Sequence, residues 1–480
     1  MNYQEALNYI KNIERAGSDY GIERMRMLLD MLKEPDRCLK FVHVAGTNGK
    51  GSVCAYLTSV LKAVGYRVGT YNSPSVFRYN ERWSINGEPL DDESVAKYMT
   101  EVKAVIDNEN RLRGLARAKE NEKINERAES EESYSAENKI VQTDRFKTDE
   151  VREACPLLSG VFQPTAFEIE TAVAMLAFKD KGCDIAVLET GLGGRWDATN
   201  AIREKELAVI TPIGLDHCAL LGNTLGEIAE EKAAIIRGDA VTCEQCDEIM
   251  EKVFHPYEMV DGSKKALPAN VTVCKNAKLI ADSRDGQTFE YDGEQYEIGM
   301  LGEHQLQNAS IAICAVEALR KKGWNISENA LKEGLKNARW SARLEIVKNA
   351  QTRFNLSIQT GKTLVFDGAH NPHGATALAN ALKKYFAGER IHLVLGILAD
   401  KDVDGVVSIL APCADRVTAI TPNSPRALSA TALREKVKAY APCDECDGVR
   451  LAVEKALDGD CDIVVLCGSL TLFADVANRK

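Results

Sequence analysis

The sequence predicts an α/β fold: a larger N-terminal domain on a mostly parallel sheet, then a smaller Rossmann-like α/β domain. Three observations carry this expectation. Short apolar strand runs alternate with helix patterns along most of the chain, as in βαβ units. A glycine-rich loop at 46–51 joins the first such strand to a helix. A second alternating run begins near residue 340, and 480 residues exceed what one core usually supports. The expected domains are 1–337 and 338–480.

Residues 2–35 carry helical apolar spacing in ALNYIKNI and MRMLLDMLK. KFVHVAG is an apolar strand run ending in the glycine loop. SVCAYLTSVLKAVG follows with helical period and stops at Gly65. YRVGTY is the next strand, FEIETAVAMLAFKDKG a helix, CDIAVLET and ELAVITPI buried strands, and LGEIAEEKAAIIRG a helix. Residues 241–300, with NVTVCKN and TFEYDGEQYEIGM, fit a small antiparallel excursion turning at Asp292–Gly293. Between 107 and 153 stand 13 acidic and 10 basic residues and two distant aromatics, Tyr134 and Phe146. Such a stretch reads as an exposed helical or disordered insertion. In the C-terminal domain RLEIVKN, TLVFDGAHN, IHLVLGIL, DRVTAITP and DIVVLCGS are strands, alternating with helices such as ATALANALKKYF and TALREKVKAYA. Ligands of such sheets bind beyond the carboxyl ends of the strands, so a site between the two domains is expected.

A formal net charge of −11 argues against nucleic-acid binding, which needs a positive field. An anionic substrate then requires local lysines, arginines and bound metal. There is no apolar run long enough to span a membrane, and the polar start lacks a signal-peptide pattern, so a cytoplasmic protein is expected. Of 14 cysteines, Cys243/Cys246 and Cys443/Cys446 form C-x-x-C pairs. A zinc site and plain thiols in a reducing compartment are the two readings; the distance between the pairs along the chain favours thiols.

The strongest local signal is HVAGTNGKGSV at 43–53. A glycine loop between strand and helix lets backbone N–H groups approach phosphates. Lys50 can reach outer phosphates and Ser52 can bind magnesium. The spacing differs from the ordinary P-loop: two residues separate Gly46 from Gly49, and Gly51 stands between Lys50 and Ser52. The N-terminal domain is therefore expected to be P-loop ATPase-like. Glu189 ends an apolar strand, where a carboxylate suits magnesium; alone, it reads equally well as a loop or capping carboxylate. By themselves Ser73 is a turn residue, His217 a hydrogen-bonded structural group, Lys232 a solvated helical lysine and Asn308 a buried helix polar group.

Further blocks accompany the loop. SDYGIERMRMLL, SPSVFRYNERWSING, LETGLGGRWDATN, LDHCALLGNTLGEIAEEKAAIIR, GEHQLQNA and DGAHNPHG follow in order over nearly the whole chain. Together they resemble the folylpolyglutamate synthase and dihydrofolate synthase family of the Mur ligase superfamily. The resemblance implies an ATP-dependent ligase that adds L-glutamate to a folate or dihydropteroate through an acyl phosphate. It implies two magnesium sites. Ser73, with Glu189, would be a ligand of the first; His217, a departure from magnesium's preference for oxygen, would be a ligand of the second. The matching Lys232 is carbamylated in the family, which exchanges a cation for an anionic oxygen ligand. Gly46, Thr47, Asn48, Gly49, Lys50, Gly51 and Ser52 would hold ATP phosphates, Asn308 would touch adenine, and Arg343 would reach the phosphates. Asp367 and His370 would close on ATP and aid the incoming glutamate. His373 in the same block reads as a surface residue. Lys50, His217, Lys232, Asp367 and His370 are thus the expected catalytic set. Ser341–Ala342 stands where the family usually has Pro-Gly, which loosens the linker before Arg343, and Ser75 stands where it commonly has His. A monomer is expected, without nucleic-acid or membrane partners.

Two other functions remain open at this stage. A cell-wall Mur ligase usually carries an N-terminal UDP-binding domain, for which a phosphate loop near residue 46 leaves no room. A non-catalytic nucleotide-binding regulator would have lost the metal residues, which are present here.

Overall fold

The computed structural model describes residues 1–14, 21–135, 160–260, 262–348, 350–356 and 361–477. The chain divides into two compact units, one of 1–38, 91–181 and 196–203, the other of 39–90, 182–195 and 204–480. The first is helical. It contains helices Tyr3–Glu14, Ile22–Met31, Asp92–Ser135 and Ala166–Asp180. Thr165 starts the last of these with a capping box to Glu168, which also accepts a 2.8 Å bond from Arg24 Nε. The charged stretch at 107–153 continues the helix from Asp92 as far as Ser135, with 114–119 exposed; 136–153 lie outside the described residues.

The second unit holds the sheets. The chain lays down β1 (Phe41–Ala45), β2 (Val68–Tyr71), β3 (Trp83–Ile85), β4 (Glu88–Pro89), β5 (Ile185–Glu189), β6 (Leu207–Ile210), β7 (Gly238–Cys243), the hairpin β8 (Tyr257–Val260) and β9 (Ser263–Ala266), and β10 (Ala269–Cys274). Eight of these form one sheet of order β10-β7-β6-β1-β5-β2-β3-β4, parallel except where β3 and β4 fold back. Every residue of β1, β2, β5 and β6 is buried, which is why they read as unbroken apolar runs. Helices Lys50–Val64 and His304–Lys321 supply much of the adjoining core.

Within 241–300, β11 (Lys278–Ser283), β12 (Gly286–Tyr291) and β13 (Glu294–Ile298) make the expected antiparallel sheet, turning at Asp292 (φ 53°) and Gly293 (φ 85°). NVTVCKN is a correction. It forms β10 and pairs in parallel with β7, from Ala269–Gly238 to Cys274–Cys243. An alternating run carries no record of which sheet edge it will join.

The second sheet comprises β14 (Glu345–Ile346), β15 (Thr363–Phe366), β16 (Ile391–Leu395), β17 (Arg416–Ile420), β18 (Cys443–Cys446) and β19 (Ile463–Cys467), in the order β14-β15-β19-β16-β17-β18. All neighbours are parallel except β14 with β15. Cys443 and Cys446 stand three apart on β18, so their side chains face opposite sides and cannot share a metal. No described helix is long and apolar enough to cross a membrane.

Candidate active site

The phosphate loop leaves β1 at the middle of the large sheet, between β5 and β6. Gly46 (φ 152°) and Gly49 (φ 85°) take backbone angles that other residues rarely adopt. Thr47 and Asn48 both donate their N–H groups to Pro212 O, at 3.0 and 3.1 Å, and Thr47 Oγ1 lies 3.0 Å from both Gly214 O and Gly214 N. Two N–H groups expected to face phosphate are thus tied to the loop after β6. The anion-facing donors move to the start of helix Lys50–Val64, whose Gly49 cap offers no side chain. Gly51 and buried Ser52 lie in that first turn, and Ser52 Oγ accepts a 3.2 Å bond from Gln305 Nε2. Lys50 bends back over the loop, with Nζ donating to Gly46 O (3.1 Å) and Thr47 O (3.3 Å).

That ammonium stands 4.0 Å from Glu189 Oε1. Glu189 closes β5, opposite Val44 of β1, and is 6% exposed. Its other oxygen accepts the Ser73 N–H at 3.4 Å, so the ends of β1, β2 and β5 bring Lys50, Glu189 and Ser73 together. Beyond Ser73 the chain is anchored elsewhere. Phe77 enters an aromatic group with Phe354, Phe366 and Phe473, its ring 5.1 Å from that of Phe354.

His217 takes φ 53° at the head of a short helix, half-exposed, with Nε2 3.8 Å from Asp216 Oδ2. Burial lowers its pKa, against the pull of Asp216, and Lys401, Lys232 and Lys50 push it the same way. His217 thus joins the site within the electrostatic reach of these three cations. Lys232 is buried in helix Leu225–Ala233, beside Ile228 and Ala229. The helix ends at Ala233, before the last five residues of the run LGEIAEEKAAIIRG that the sequence pattern reads as one helix.

Asn308 is buried; its Nδ2 donates to Gln305 Oε1 at 3.1 Å, and its Oδ1 occupies the space a Cβ at Gly49 would need. Arg343 sits between two left-handed residues, Ala342 (φ 56°) and Leu344 (φ 45°). Asp367 Oδ2 accepts the Leu344 N–H at 2.7 Å and Oδ1 the Ala369 N–H at 2.8 Å. Burial raises the Asp367 pKa, while Arg343 and the two N–H groups oppose that rise. His370 Nδ1 lies 2.8 Å from Gly368 O. A carbonyl only accepts, so Nδ1 carries the proton and Nε2 is left as an acceptor. Burial lowers the His370 pKa.

Similarity to known proteins agrees with this geometry. Residues 158–316 match the Mur ligase middle domain and 352–470 the Mur ligase glutamate ligase domain. The dihydrofolate synthase/folylpolyglutamate synthase of Bacillus subtilis is 32% identical, over 99% of both chains. The chain belongs to the dihydrofolate synthase/folylpolyglutamate synthase family of Mur ligases. Among solved structures, an Escherichia coli FolC in complex with DHPP and ADP is 27% identical, with a TM-score of 0.74 over 99% of this chain and 97% of that one. A bifunctional folylpolyglutamate synthase/dihydrofolate synthase with Mn, AMPPNP and L-glutamate bound is 26% identical, with a TM-score of 0.72 over 99% of this chain and 97% of that one.

As a Mur ligase, this chain also shows residues near the site that its motifs do not announce. Exposed His373 holds Nδ1 3.3 Å from Asn48 Nδ2 of the phosphate loop. Gln305 bridges Ser52 and Asn308. Lys401 reaches to 3.9 Å from Asp216. Membership of the blocks around 305 and 373 was the only sequence signal for the first two.

Proposed function

We propose that the chain is an ATP-dependent ligase that joins L-glutamate, through an amide bond, to the γ-carboxylate of a folate, and that it also converts dihydropteroate to dihydrofolate. The convergence of Lys50, Glu189 and Ser73 beside an uncapped helix N-terminus carries this reading. Oxygen donors few in number suit magnesium, which keeps waters and nucleotide phosphates among its ligands. Ser52, Ser73 and Glu189 would hold one ion, and His217 with a carbamylated Lys232 a second. Bound magnesium supplies charge neutralisation at the transferred phosphoryl group.

The chain's own groups do the rest. The first-turn N–H groups and Lys50 bind phosphate oxygens, with Thr47, Asn48 and the glycines shaping the cradle. Asn308 contacts adenine and Arg343 reaches the phosphates. Asp367 fixes the backbone just after Arg343 through the Leu344 N–H, and so aims it. Transfer of the γ-phosphoryl group to the substrate carboxylate gives an acyl phosphate. The amine of glutamate then attacks the acyl carbon, a C–N bond forms, phosphate leaves with the C–O electron pair, and neutral His370, with Nε2 free to accept, takes the amine's proton. A carbamate on buried Lys232 would exchange a cation for an anionic oxygen that a metal can bind. The protein acts as a monomer in the cytoplasm on this reading.

Radiolabelled glutamate, ATP and magnesium, offered with tetrahydrofolate or with dihydropteroate, test the proposal. Label in both products is expected. Label with tetrahydrofolate alone removes the second activity, and label with neither overturns the reading. Peptide mass at Lys232 should show one added carbon dioxide; an unmodified lysine at full metal loading removes the carbamate.

A further inference from the structure

We propose that Arg195 is a positioning residue for the metal site: it ties the loop that leaves Glu189 to the helix turn that carries Lys232, and so sets how these two ligands face one another. The inference rests on the metal-assisted ligase reading above. A metal ligand works only when its own backbone is held, and groups behind the ligands do the holding. β5 delivers Glu189 to the sheet edge and gives way to a glycine-rich loop, which ends at Arg195. Lys232 stands on a different element, helix Leu225–Ala233, from which it acts on His217. Neither element by itself fixes the separation of the two ligands.

Arg195 spans that gap. Its backbone N–H donates to Glu231 O at 2.9 Å. Its guanidinium divides among three acceptors: Nε donates to Glu231 Oε1 at 2.9 Å, Nη2 to Glu230 O at 3.2 Å, and Nη1 to Tyr257 O, at the start of β8, at 2.6 Å. Glu230 and Glu231 directly precede Lys232, in the last turn of the helix, where carbonyls lack helical partners. The guanidinium also lies 4.3 Å from the centre of the Tyr257 ring, and the side chain is 6% exposed. The backbones approach closely as well. At neighbouring Gly194 a Cβ would stand 2.7 Å from Glu231 O and 2.9 Å from Lys232 O. A buried ion pair is a weak source of stability, because both charges leave water. What a planar fork of fixed donors adds is direction, which neither the single head of a lysine nor an apolar side chain supplies.

Binding of Mn2+ separates positioning from packing, because it reads the metal site without the reaction. It is followed on the intact chain, with a non-hydrolysable ATP analogue, by loss of the free-ion spin-resonance signal. Arg195→Met should weaken Mn2+ binding by about 10–100-fold, the range for groups that hold metal ligands in place. Arg195→Lys should fall between that variant and the unsubstituted protein. Glu231→Gln, whose amide oxygen still accepts from Nε, should stay within about threefold. Arg237→Met is the control: it removes another buttress of β8, Arg237 Nη1 to Glu258 Oε2 at 2.9 Å, and should leave Mn2+ binding unchanged. A lower melting temperature in Arg195→Met with Mn2+ binding unchanged, or equal weakening in Arg237→Met, overturns the assignment. So does a loss in Glu231→Gln as large as in Arg195→Met, which would make charge and not direction the cause. If Arg195→Met does not fold, Arg195→Lys decides, and unweakened Mn2+ binding there overturns the proposal. Absence of Mn2+ binding in the unsubstituted protein instead overturns the metal reading on which it rests.

Discussion

Two short segments of this molecule each aim a cation, and they are built in opposite ways. The phosphate loop places Lys50 with glycines at its left-handed turns and with backbone carbonyls as partners. The linker places Arg343 with an alanine and a leucine at left-handed angles, held there by carboxylates: Asp367 on Leu344, and Glu345 Oε2 on the Ala342 N–H at 2.9 Å. A left-handed non-glycine residue costs roughly 1–2 kcal/mol. Burial of Leu344 in the second sheet's core, about 2 kcal/mol, offsets much of it. The loop is therefore specified by its own residues. The linker is specified by neighbours distant in sequence, and its geometry depends on charged acceptors.

The contrast can be broken at four points. Gly49→Ala has the largest expected effect: the methyl group meets Asn308 Oδ1 at a left-handed position, and ligation kcat/KM should fall by about 100-fold or more. Asp367→Ala strands two N–H groups and the charge of Arg343. Urea unfolding should show a loss of about 3 kcal/mol, and retained stability would mean that the carboxylate does not hold the linker.

Acid should weaken the second sheet through His392, which marks how far titratable groups other than the linker's set stability. Burial holds this imidazole down at about 4, with Nε2 2.8 Å from Thr418 Oγ1. The unfolded chain takes up the proton near pH 6.5 and the folded one does not, so stability is full above that pH. It falls as the solution is acidified towards 4, by on the order of 2–3 kcal/mol. His392→Gln should flatten that part of a stability-versus-pH curve. The smallest change is Ala342→Gly, which removes strain at φ 56° and should raise stability by about 1 kcal/mol in thermal melts. A fall would show that the linker is not strained.

Much of the site was legible because its chemistry is local. The order strand, glycine loop, helix put Lys50 and Ser52 in place, and a carboxylate at the end of an apolar strand put Glu189 at the sheet edge. The same local view put His373 at the surface, where it lies, but could not pair it with Asn48, 325 residues away in sequence, and said nothing of Lys401. It left β10 in the wrong sheet for the same reason: alternation fixes which face is buried and leaves the pairing partner open.

What the sequence determined by itself was the two-sheet α/β class, the family and the ends of the strands that carry the phosphate loop and Glu189, since apolar periodicity and glycine placement act over a few residues. The tertiary structure alone decided that Thr47 and Asn48 turn their N–H groups to Pro212, that Asp367 holds the linker around Arg343, and that Lys401 reaches Asp216. These are contacts between segments far apart in the chain. Their geometry depends on how helices and sheets pack, a property of the whole core that no short run of residues contains.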